Sequence, residues 1–215
     1  MRTDKKIIHC IGAGSIGSFT DLLLAIMART PTWELALYDF DIIEGGNLVN
    51  QLYWKPDLGR SKKKVFKLAA LKKIIRRFSG VKVYTSKKKV GRKTPLSGIV
   101  VVMVDSLAAR REIFQAVKFN TAVSLYIDAR SGGKHAIVFA LNPIDIDQVR
   151  AYEKTLEGQA APPPCADPQT LPVLSLIAGV VGQLVLLYQD ERPLHLERVL
   201  INIDKLPIVG SSNSP

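Results

Sequence analysis

The chain has 215 residues, of which 47% are hydrophobic and 23% are charged, and its formal net charge is +11. These proportions are those of ordinary globular proteins, so they exclude an intrinsically disordered chain, and the length allows one sizeable hydrophobic core. The two cysteines exclude a disulfide framework and a four-cysteine zinc site. Because Cys10 falls in a predicted buried strand and the N-terminal residues lack the apolar run of a signal peptide, we expect a reducing, cytoplasmic location.

A glycine-rich turn joins the first predicted strand, at Lys6–Ile11, to the first predicted helix, at Ser15–Arg29. The turn has the sequence Gly12-Ala13-Gly14-Ser15-Ile16-Gly17, a pattern that lets backbone N–H groups approach a phosphate beside the positive end of a helix dipole. The next strand, Glu34–Tyr38, leads to Asp39, about 20 residues after the last glycine, where a carboxylate can accept both hydroxyls of a ribose. The pattern predicts a site for an unspecified nucleotide, and a tight turn without a ligand is the alternative.

Further strands and helices alternate along the rest of the chain. The predicted helices are Ser61–Phe78, Ala108–Phe119, Asp145–Leu156 and Leu171–Tyr188, and the predicted strands are Val81–Tyr84, Gly98–Val104, Ala122–Ile127, Lys134–Asn142 and Glu197–Asp204. This alternation is typical of a doubly wound, mostly parallel sheet. We therefore predict an α/β, Rossmann-like fold with antiparallel strands added in the C-terminal half, forming one domain over residues 1–207 before a frayed tail at 208–215.

Acidic residues follow three of the predicted strands. Asp39, Asp105 and Asp128 each come directly after a strand. Because the carboxyl ends of parallel strands meet at one edge of the sheet, where doubly wound folds bind their ligands, we expect these carboxylates to lie near the glycine turn.

Positive charge is concentrated between Lys55 and Lys93, where Asp57 is the only acidic residue. The helix predicted in this region begins at its expected N-cap, Ser61. Its expected buried stripe is formed by Val65, Leu68, Ala69, Leu71 and Ile75. Three interpretations of these basic residues are open: a solvated face, a docking surface for an acidic partner, or a non-specific nucleic-acid patch. No aromatic residues interleave the basic loop, and no helix-turn-helix or zinc-finger pattern is present, so the sequence disfavours nucleic acid.

The segment Leu171–Tyr188 is almost wholly apolar and reaches the lower length limit of a membrane span. It contains Gly179 and Gly182, small residues whose close spacing suits a helix pressed against a sheet. A lone span this late is unusual in a chain with a nucleotide-binding pattern. We therefore favour a buried core helix and expect no membrane partner.

An ordered series of motifs extends well beyond the glycine turn. The series consists of Gly12–Ser18, Leu37–Asp41, Asn47-Leu48 with Gln51, Asp57-Leu58-Gly59 with Lys62, Val104-Asp105 with Arg110, and Ala178–Gly182. It resembles the adenylating-domain family that includes the ubiquitin-activating enzymes and their bacterial relatives ThiF and MoeB, which activate ubiquitin-like sulfur carriers. The resemblance covers most of the chain, and it is much more specific than the glycine turn alone.

The resemblance implies an ATP-dependent enzyme that adenylates the C-terminal glycine of a ubiquitin-like or sulfur-carrier protein and releases pyrophosphate. Asp39 would hold the ribose, Asp105 would bind Mg²⁺, and Lys62 would act with Asp105 in neutralising the phosphates during the reaction. The nucleotide site would also include Gly12, Gly14, Ser15, Ile16, Gly17, Asp41, Asn47, Asn50, Gln51 and Arg110. Family members usually dimerise, so a homodimer or heterodimer is expected.

The chain departs from the family pattern in three places. The family usually has Arg-Gln at the position of Asn50-Gln51, and that arginine contacts the β- and γ-phosphates. In this chain Arg60, Lys63 or a residue of a partner subunit would have to replace it. Paired Cys-x-x-Cys motifs are absent, so no structural zinc is expected. In relatives an N-terminal extension supplies an arginine to the partner's site, and here only Arg2 is left for that role.

The Pro-rich loop before the last helix contains Cys165. In relatives a cysteine in this interval can take the activated carboxyl as a thioester or persulfide, and an incidental loop cysteine is the alternative.

Three functions remain open. An adenylating enzyme accounts for all the motifs, an NAD-dependent oxidoreductase accounts only for the glycine turn and Asp39, and Asn50 favours a non-catalytic nucleotide-binding subunit.

Overall fold

The computed structural model describes residues 6–28, 33–58, 64–158, 167–191 and 197–205. The strands are β1 (Lys6–Ile11), β2 (Trp33–Tyr38), β3 (Val83–Ser86), β4 (Gly98–Val102), β5 (Val123–Gly132), β6 (His135–Leu141) and β7 (Glu197–Asn202). The helices are α1 (Ser15–Met27), α2 (Lys67–Phe78), α3 (Leu107–Val117), α4 (Ile146–Lys154) and α5 (Leu171–Gln189). The predicted tail at 208–215 lies outside the described residues.

Within the described residues the strands form one sheet in the order β3-β2-β1-β4-β5-β6-β7. The pairs from β3 to β5 are parallel, whereas β5 with β6 and β6 with β7 are antiparallel. The predicted α/β fold class is therefore confirmed, including the antiparallel strands in the C-terminal half. The chain runs outward from β1 to β3 and then returns to β4 on the other side of β1, which makes the carboxyl ends of β1 and β4 the topological switch point where such sheets bind ligands.

Two hydrophobic clusters cover the two faces of the sheet. Leu24 of α1 and Ile177 of α5 belong to one cluster, and Phe114 of α3 belongs to the other. Alternate residues of β4 enter opposite clusters, with Val101 in the first and Val100 in the second. The β-branched run of β4 is explained by this position, because a strand buried on both faces needs an apolar side chain at every residue.

The apolar helix α5 packs against α1, β5 and β6. It belongs to the one helix in the described part of the chain, Pro168–Gln189, that is long and apolar enough to cross a membrane, and half of that apolar segment is buried inside the protein. A Cβ atom at Gly182 would lie 2.9 Å from the Met27 sulfur, so the glycine allows the close contact between α5 and α1. This packing is that of the core helix favoured by the sequence.

The start of α2 differs from the sequence-based expectation. The helix begins at Lys67, and Ser61 lies outside the described residues. Phe66 has extended dihedral angles and bridges to Ile42, and the Ile43 N–H donates to the Val65 carbonyl at 2.9 Å. Pairing with the loop after β2 therefore holds the segment before Lys67 in an extended conformation. The buried stripe of α2 also differs at one position, because Ala70 is buried and Ala69 is exposed.

The sequence predicted that Asp128 follows the end of a strand, whereas the structure places it inside β5. The strand continues to Gly132 because β6 returns antiparallel beside it and pairs with the added residues. Asp128 is fully buried and forms an ion pair with Arg110, which is itself 4% exposed. Its second oxygen accepts hydrogen bonds from Arg130 Nε at 2.6 Å and from the Tyr152 hydroxyl at 2.8 Å. Burial lowers the pKa of Arg110 to about 10.

A second buried carboxyl group, Asp21, lies on α1 and is fully buried. Neither of its oxygens has a nitrogen or oxygen hydrogen-bond partner among the described residues, and the Cys10 thiol is its hydrogen-bonding neighbour. Burial raises the pKa of Asp21 well above its ordinary value, an effect that the Cys10 hydrogen bond reduces and the nearby Asp39 increases. The carboxyl group is therefore held in its neutral form more firmly than an exposed aspartate.

The Asp128 cluster predicts a large loss of stability on truncation. We expect Asp128→Ala to lower the free energy of unfolding by about 3–5 kcal/mol, because it leaves the Arg110 guanidinium unpaired in the core. Lys118→Met is the control, since it removes the more exposed Lys118–Glu153 pair and should cost less than about 1 kcal/mol. Urea unfolding of the three proteins measures both values, and equal losses would contradict the assignment.

The buried Asp21 predicts a pH dependence. A carboxyl group whose pKa is raised by folding stabilises the fold at low pH, and this contribution is lost as the pH rises through the folded-state pKa. We therefore expect the free energy of unfolding to fall more steeply from about pH 5 to about pH 8 in the wild type than in Asp21→Asn. Asp147→Asn, which changes an exposed carboxylate, should keep the wild-type slope. Parallel curves for the wild type and Asp21→Asn would rule out the raised pKa.

Candidate nucleotide-binding site

The glycine turn passes close to the loop that follows β4. Gly12 has a φ of +101°, and a Cβ atom at this position would lie 2.7 Å from the Met103 carbonyl oxygen. A Cβ atom at Gly17 would lie 1.8 Å from the Gly12 carbonyl oxygen, so both positions require glycine. Gly14 is different, because an added Cβ atom would meet nothing within 4 Å. The middle of the turn is therefore open, which is what a closely approaching phosphate requires.

The N-terminus of α1 has no side-chain cap. Gly14 is the N-cap residue, and the first turn contains no acidic residue. The backbone N–H groups of Ser15 and Ile16 therefore have no side-chain acceptor at the positive end of the helix dipole. This is the arrangement with which helix N-termini bind phosphate.

Asp39 follows β2 and is bonded to the glycine turn. Its Oδ2 accepts a hydrogen bond from the Ala13 N–H at 2.6 Å, and its Oδ1 accepts one from the Asp41 N–H at 2.7 Å. A carboxylate offers about four acceptor positions, so the two that remain can accept ribose hydroxyls. Burial raises the pKa of Asp39, and the two N–H donors and the charge of Lys67 counteract this effect.

Lys67 is a site-adjacent cation that the sequence-based analysis did not identify. Its side chain is 8% exposed and forms an ion pair with Asp41, with 2.9 Å between Nζ and Oδ2. Its backbone N–H donates to the Asp41 carbonyl at 3.0 Å. The expected helix beginning at Ser61 would have placed Lys67 in the middle of a helix, whereas it is the first helical residue and faces the loop after β2.

The segment from Asn50 to Tyr53 lies against the glycine turn. Asn50 is 4% exposed, and its Oδ1 accepts a hydrogen bond from the Ser15 hydroxyl at 3.1 Å. Tyr53, also buried, donates its hydroxyl hydrogen to the Ala13 carbonyl at 2.6 Å. The Leu52 N–H donates to the Ser18 hydroxyl at 3.3 Å. Tyr53 was not among the expected site residues, since only the folded structure brings it to the turn.

Two further amides occupy the same loop. Asn47 belongs to a short helical turn at Gly45–Leu48, and its Oδ1 accepts a hydrogen bond from the Glu44 N–H at 2.8 Å. The Oε1 atom of Gln51 is buried and has no hydrogen-bond partner among the described residues. A buried acceptor without a donor is costly, so Gln51 is a residue that a bound donor would satisfy.

Asp105 lies in the loop between β4 and α3, on the other side of the switch point. It is exposed, and no described residue donates a hydrogen bond to its carboxylate. The Met103 N–H donates to the Ile11 carbonyl at 2.8 Å, which holds this loop beside the glycine turn. Arg110 does not reach the surface of the site, because its guanidinium is buried and donates to the Val104 and Ala129 carbonyls. It therefore holds the loop that carries Asp105 from inside the protein, through the hydrogen bond to the Val104 carbonyl.

The described residues fit a magnesium ion that arrives with a nucleotide. Among them no three His, Cys, Asp or Glu side chains are grouped closely enough to hold a metal ion by themselves. Mg²⁺ is commonly bound by one or two carboxylates together with substrate phosphates, and Asp105 offers one free carboxylate. The expected catalytic residues Lys62 and Cys165 lie outside the described residues.

No protein-family model matches the chain, and no curated protein matches it. Solved structures do match. E. coli MccB bound to ATP has a TM-score of 0.68 and 21% sequence identity, and the match covers 94% of this chain and 61% of that one. E. coli MccB with AMPCPP and MccA has a TM-score of 0.63 and 18% identity, over 95% of this chain and 65% of that one. PaaA has a TM-score of 0.65 and 19% identity, over 94% and 62%.

These matches concern the fold. The chain spans less than two thirds of the length of the MccB and PaaA structures. The likeness to MccB and PaaA is one of fold, and the fold that the motif series predicted is confirmed. Across the described structure, from the glycine turn to the last strand, the chain shares its fold with MccB and PaaA.

Proposed function

We propose that this protein uses ATP and Mg²⁺ to adenylate the terminal carboxylate of a polypeptide. The observation that carries the proposal is the bond between Asp39 and the Ala13 N–H, which joins a ribose-binding carboxylate to a phosphate-binding turn. The exposed Asp105 across the switch point supports it further. The fold is shared with MccB, which has been solved with ATP and with MccA.

In the proposed reaction Asp39 binds the ribose, and the uncapped N-terminus of α1 binds the phosphates. The substrate carboxylate attacks the α-phosphorus, an oxygen–phosphorus bond forms, and the bond to the bridging oxygen of pyrophosphate breaks. Asp105 would hold Mg²⁺, which neutralises the phosphate charge. The bonds of Tyr53 and Asp39 to Ala13 hold the turn rigid, so the N–H donors need no reorganisation during the reaction.

The substrate we propose is the C-terminal glycine of a ubiquitin-like or sulfur-carrier protein, with later transfer to Cys165. MccB offers a related case, because some of its solved structures contain MccA. The partner protein, the dimeric state, the cytoplasmic location and the role of Lys62 as a phosphate-binding cation are parts of the same proposal. They rest on the motif series described above.

A second candidate is a nucleotide-binding subunit that does not catalyse adenylation. Asn50 favours this function, because it is uncharged, buried and bonded to Ser15 at the position where the family usually has a phosphate-binding arginine. Losing a cation from the phosphates would reduce stabilisation of the transition state. ATP binding without pyrophosphate exchange would identify this function.

Thermal denaturation with added ligands tests nucleotide binding. We expect Mg·ATP to raise the melting temperature of the wild type, because a ligand at a hundred times its Kd adds about 2.7 kcal/mol to stability, and NAD to leave it unchanged. Asp39→Asn should weaken ATP binding about 10- to 100-fold, because it removes charged hydrogen bonds worth about 1.5–3 kcal/mol. Asp147→Asn, an exposed carboxylate elsewhere, should bind as the wild type does. A shift with NAD alone would indicate an oxidoreductase and overturn the proposal.

Pyrophosphate exchange tests the proposed reaction. We expect exchange of labelled pyrophosphate into ATP when a peptide ending in glycine with a free carboxylate is added, and none with the amidated peptide, which has no nucleophile. Asp105→Asn should reduce the exchange rate at least about 100-fold while the melting temperature changes little, because the exposed carboxylate accepts no hydrogen bond from a described residue. Asp147→Asn again serves as the matched control. Wild-type exchange in Asp105→Asn would remove Asp105 from the mechanism.

A further inference from the structure

A groove with a volume of about 510 Å³ separates α2 from β3, at the edge of the sheet. We call it the basic groove, because five of its lining residues are the cations Lys72, Lys73, Arg76, Arg77 and Lys87. Its apolar floor includes Leu68 and Ala69, and Thr85 of β3 forms part of the opposite wall.

Within the part of the chain that the structure describes, no carboxylate pairs with the α2 cations of the basic groove. The sequence from Lys64 to Lys93 contains no acidic residue. Among the described residues the four cations that α2 contributes make no ion pair, whereas Lys82 and Lys89, outside the groove, pair with Glu34 and Glu112. Cations spaced three and four residues apart on one helix repel one another, so the groove keeps its charge at a cost in stability.

Lys87 is held in place on the β3 side of the groove. Its ammonium lies 3.5 Å from the centroid of the Phe66 ring, within the distance of a cation–π interaction. The α2 cations and Lys87 therefore face the same space from two sides. An anionic ligand lying between them would be attracted by both walls.

The edge position of β3 favours a polypeptide over a nucleic acid. Among the described residues β3 pairs only with β2, so its other edge can form main-chain hydrogen bonds with an added strand. In a strand added at this edge, every second side chain points to the same face of the sheet, so acidic residues at alternate positions would face the cations of α2. None of the described residues that line the groove is an aromatic that could stack against bases.

The groove leads to the nucleotide site. Ser86, between the lining residues Thr85 and Lys87, accepts a hydrogen bond from the Asp39 N–H at 3.2 Å. A chain lying in the groove is therefore next to the carboxylate that we assign to the ribose. We propose that the basic groove binds an acidic, extended segment of the polypeptide whose carboxylate is activated. The assignment of that segment to the substrate rests on the proposed function, whereas the acidic character of the ligand rests on the groove alone.

Fluorescence anisotropy without nucleotide tests the proposal. The probe is a fluorescein-labelled peptide that alternates glutamate with leucine, and the same peptide with lysine in place of glutamate is the negative probe. Arg76→Gln/Arg77→Gln should weaken binding of the acidic peptide about tenfold at low salt, because it removes two of the exposed cations that attract the glutamates. Glutamine preserves helix propensity, so circular dichroism should be unchanged.

Arg150→Gln/Lys154→Gln is the matched control, since it removes two exposed cations from the surface of α4 and should leave binding unchanged. Equal losses in the two double variants would overturn the proposal, as would the absence of binding. Tighter, groove-dependent binding of an oligothymidine would also overturn it and identify a nucleic-acid surface. Because the assay contains no ATP, a protein that binds the peptide and yet fails the pyrophosphate exchange would contradict the proposed reaction and leave the acidic ligand of the groove established.

Discussion

The contact between Gly17 and the Gly12 carbonyl oxygen determines how the first strand passes into the first helix. A side chain at Gly17 would overlap the turn, and a side chain at Gly12 would overlap the loop after β4. These exclusions bring the N-terminus of α1 directly over the end of β1 and beside the end of β4. The open middle of the turn, the uncapped helix and the nearness of Asp105 all follow from that single close approach.

The loop after β2 completes the site by bonding to both the N–H and the carbonyl group of one residue of the same turn. Asp39 accepts from the Ala13 N–H, and Tyr53 donates to the Ala13 carbonyl. Both bonds bridge distant parts of the sequence, so they form only when the sheet has assembled. The consequence is a preorganised turn, in which the donors already point where a charged ligand would lie.

The strands and helices could be predicted because their patterns are local. Residues 99 to 102 are apolar without interruption, and β4 is buried on both faces as that run indicates. The predicted element boundaries were wrong where pairing between distant residues overrides the local secondary-structure preference. Phe66 is extended because it bridges Ile42, and Asp128 is internal because β6 extends β5.

The candidate site shows the same division between local pattern and tertiary structure. The glycine turn and Asp39 are visible in the sequence as a motif with a known spacing. The burial of Arg110, the ion pair of Lys67 and the contact of Tyr53 depend on partners that are 18, 26 and 40 residues away. No local pattern marks such partners, so only the folded structure identifies them.

Arg110 connects the loop that carries Asp105 to the buried core. The same guanidinium that binds Asp128 in the core also donates to the Val104 carbonyl, one residue before Asp105. Loops next to ligand sites often open locally at low free-energy cost, and hydrogen exchange then reports them as separate units. Opening the backbone beside Asp105 here breaks a hydrogen bond made by a buried guanidinium. We therefore expect the amides of this loop to exchange with the protection of the core and not as a separate unit.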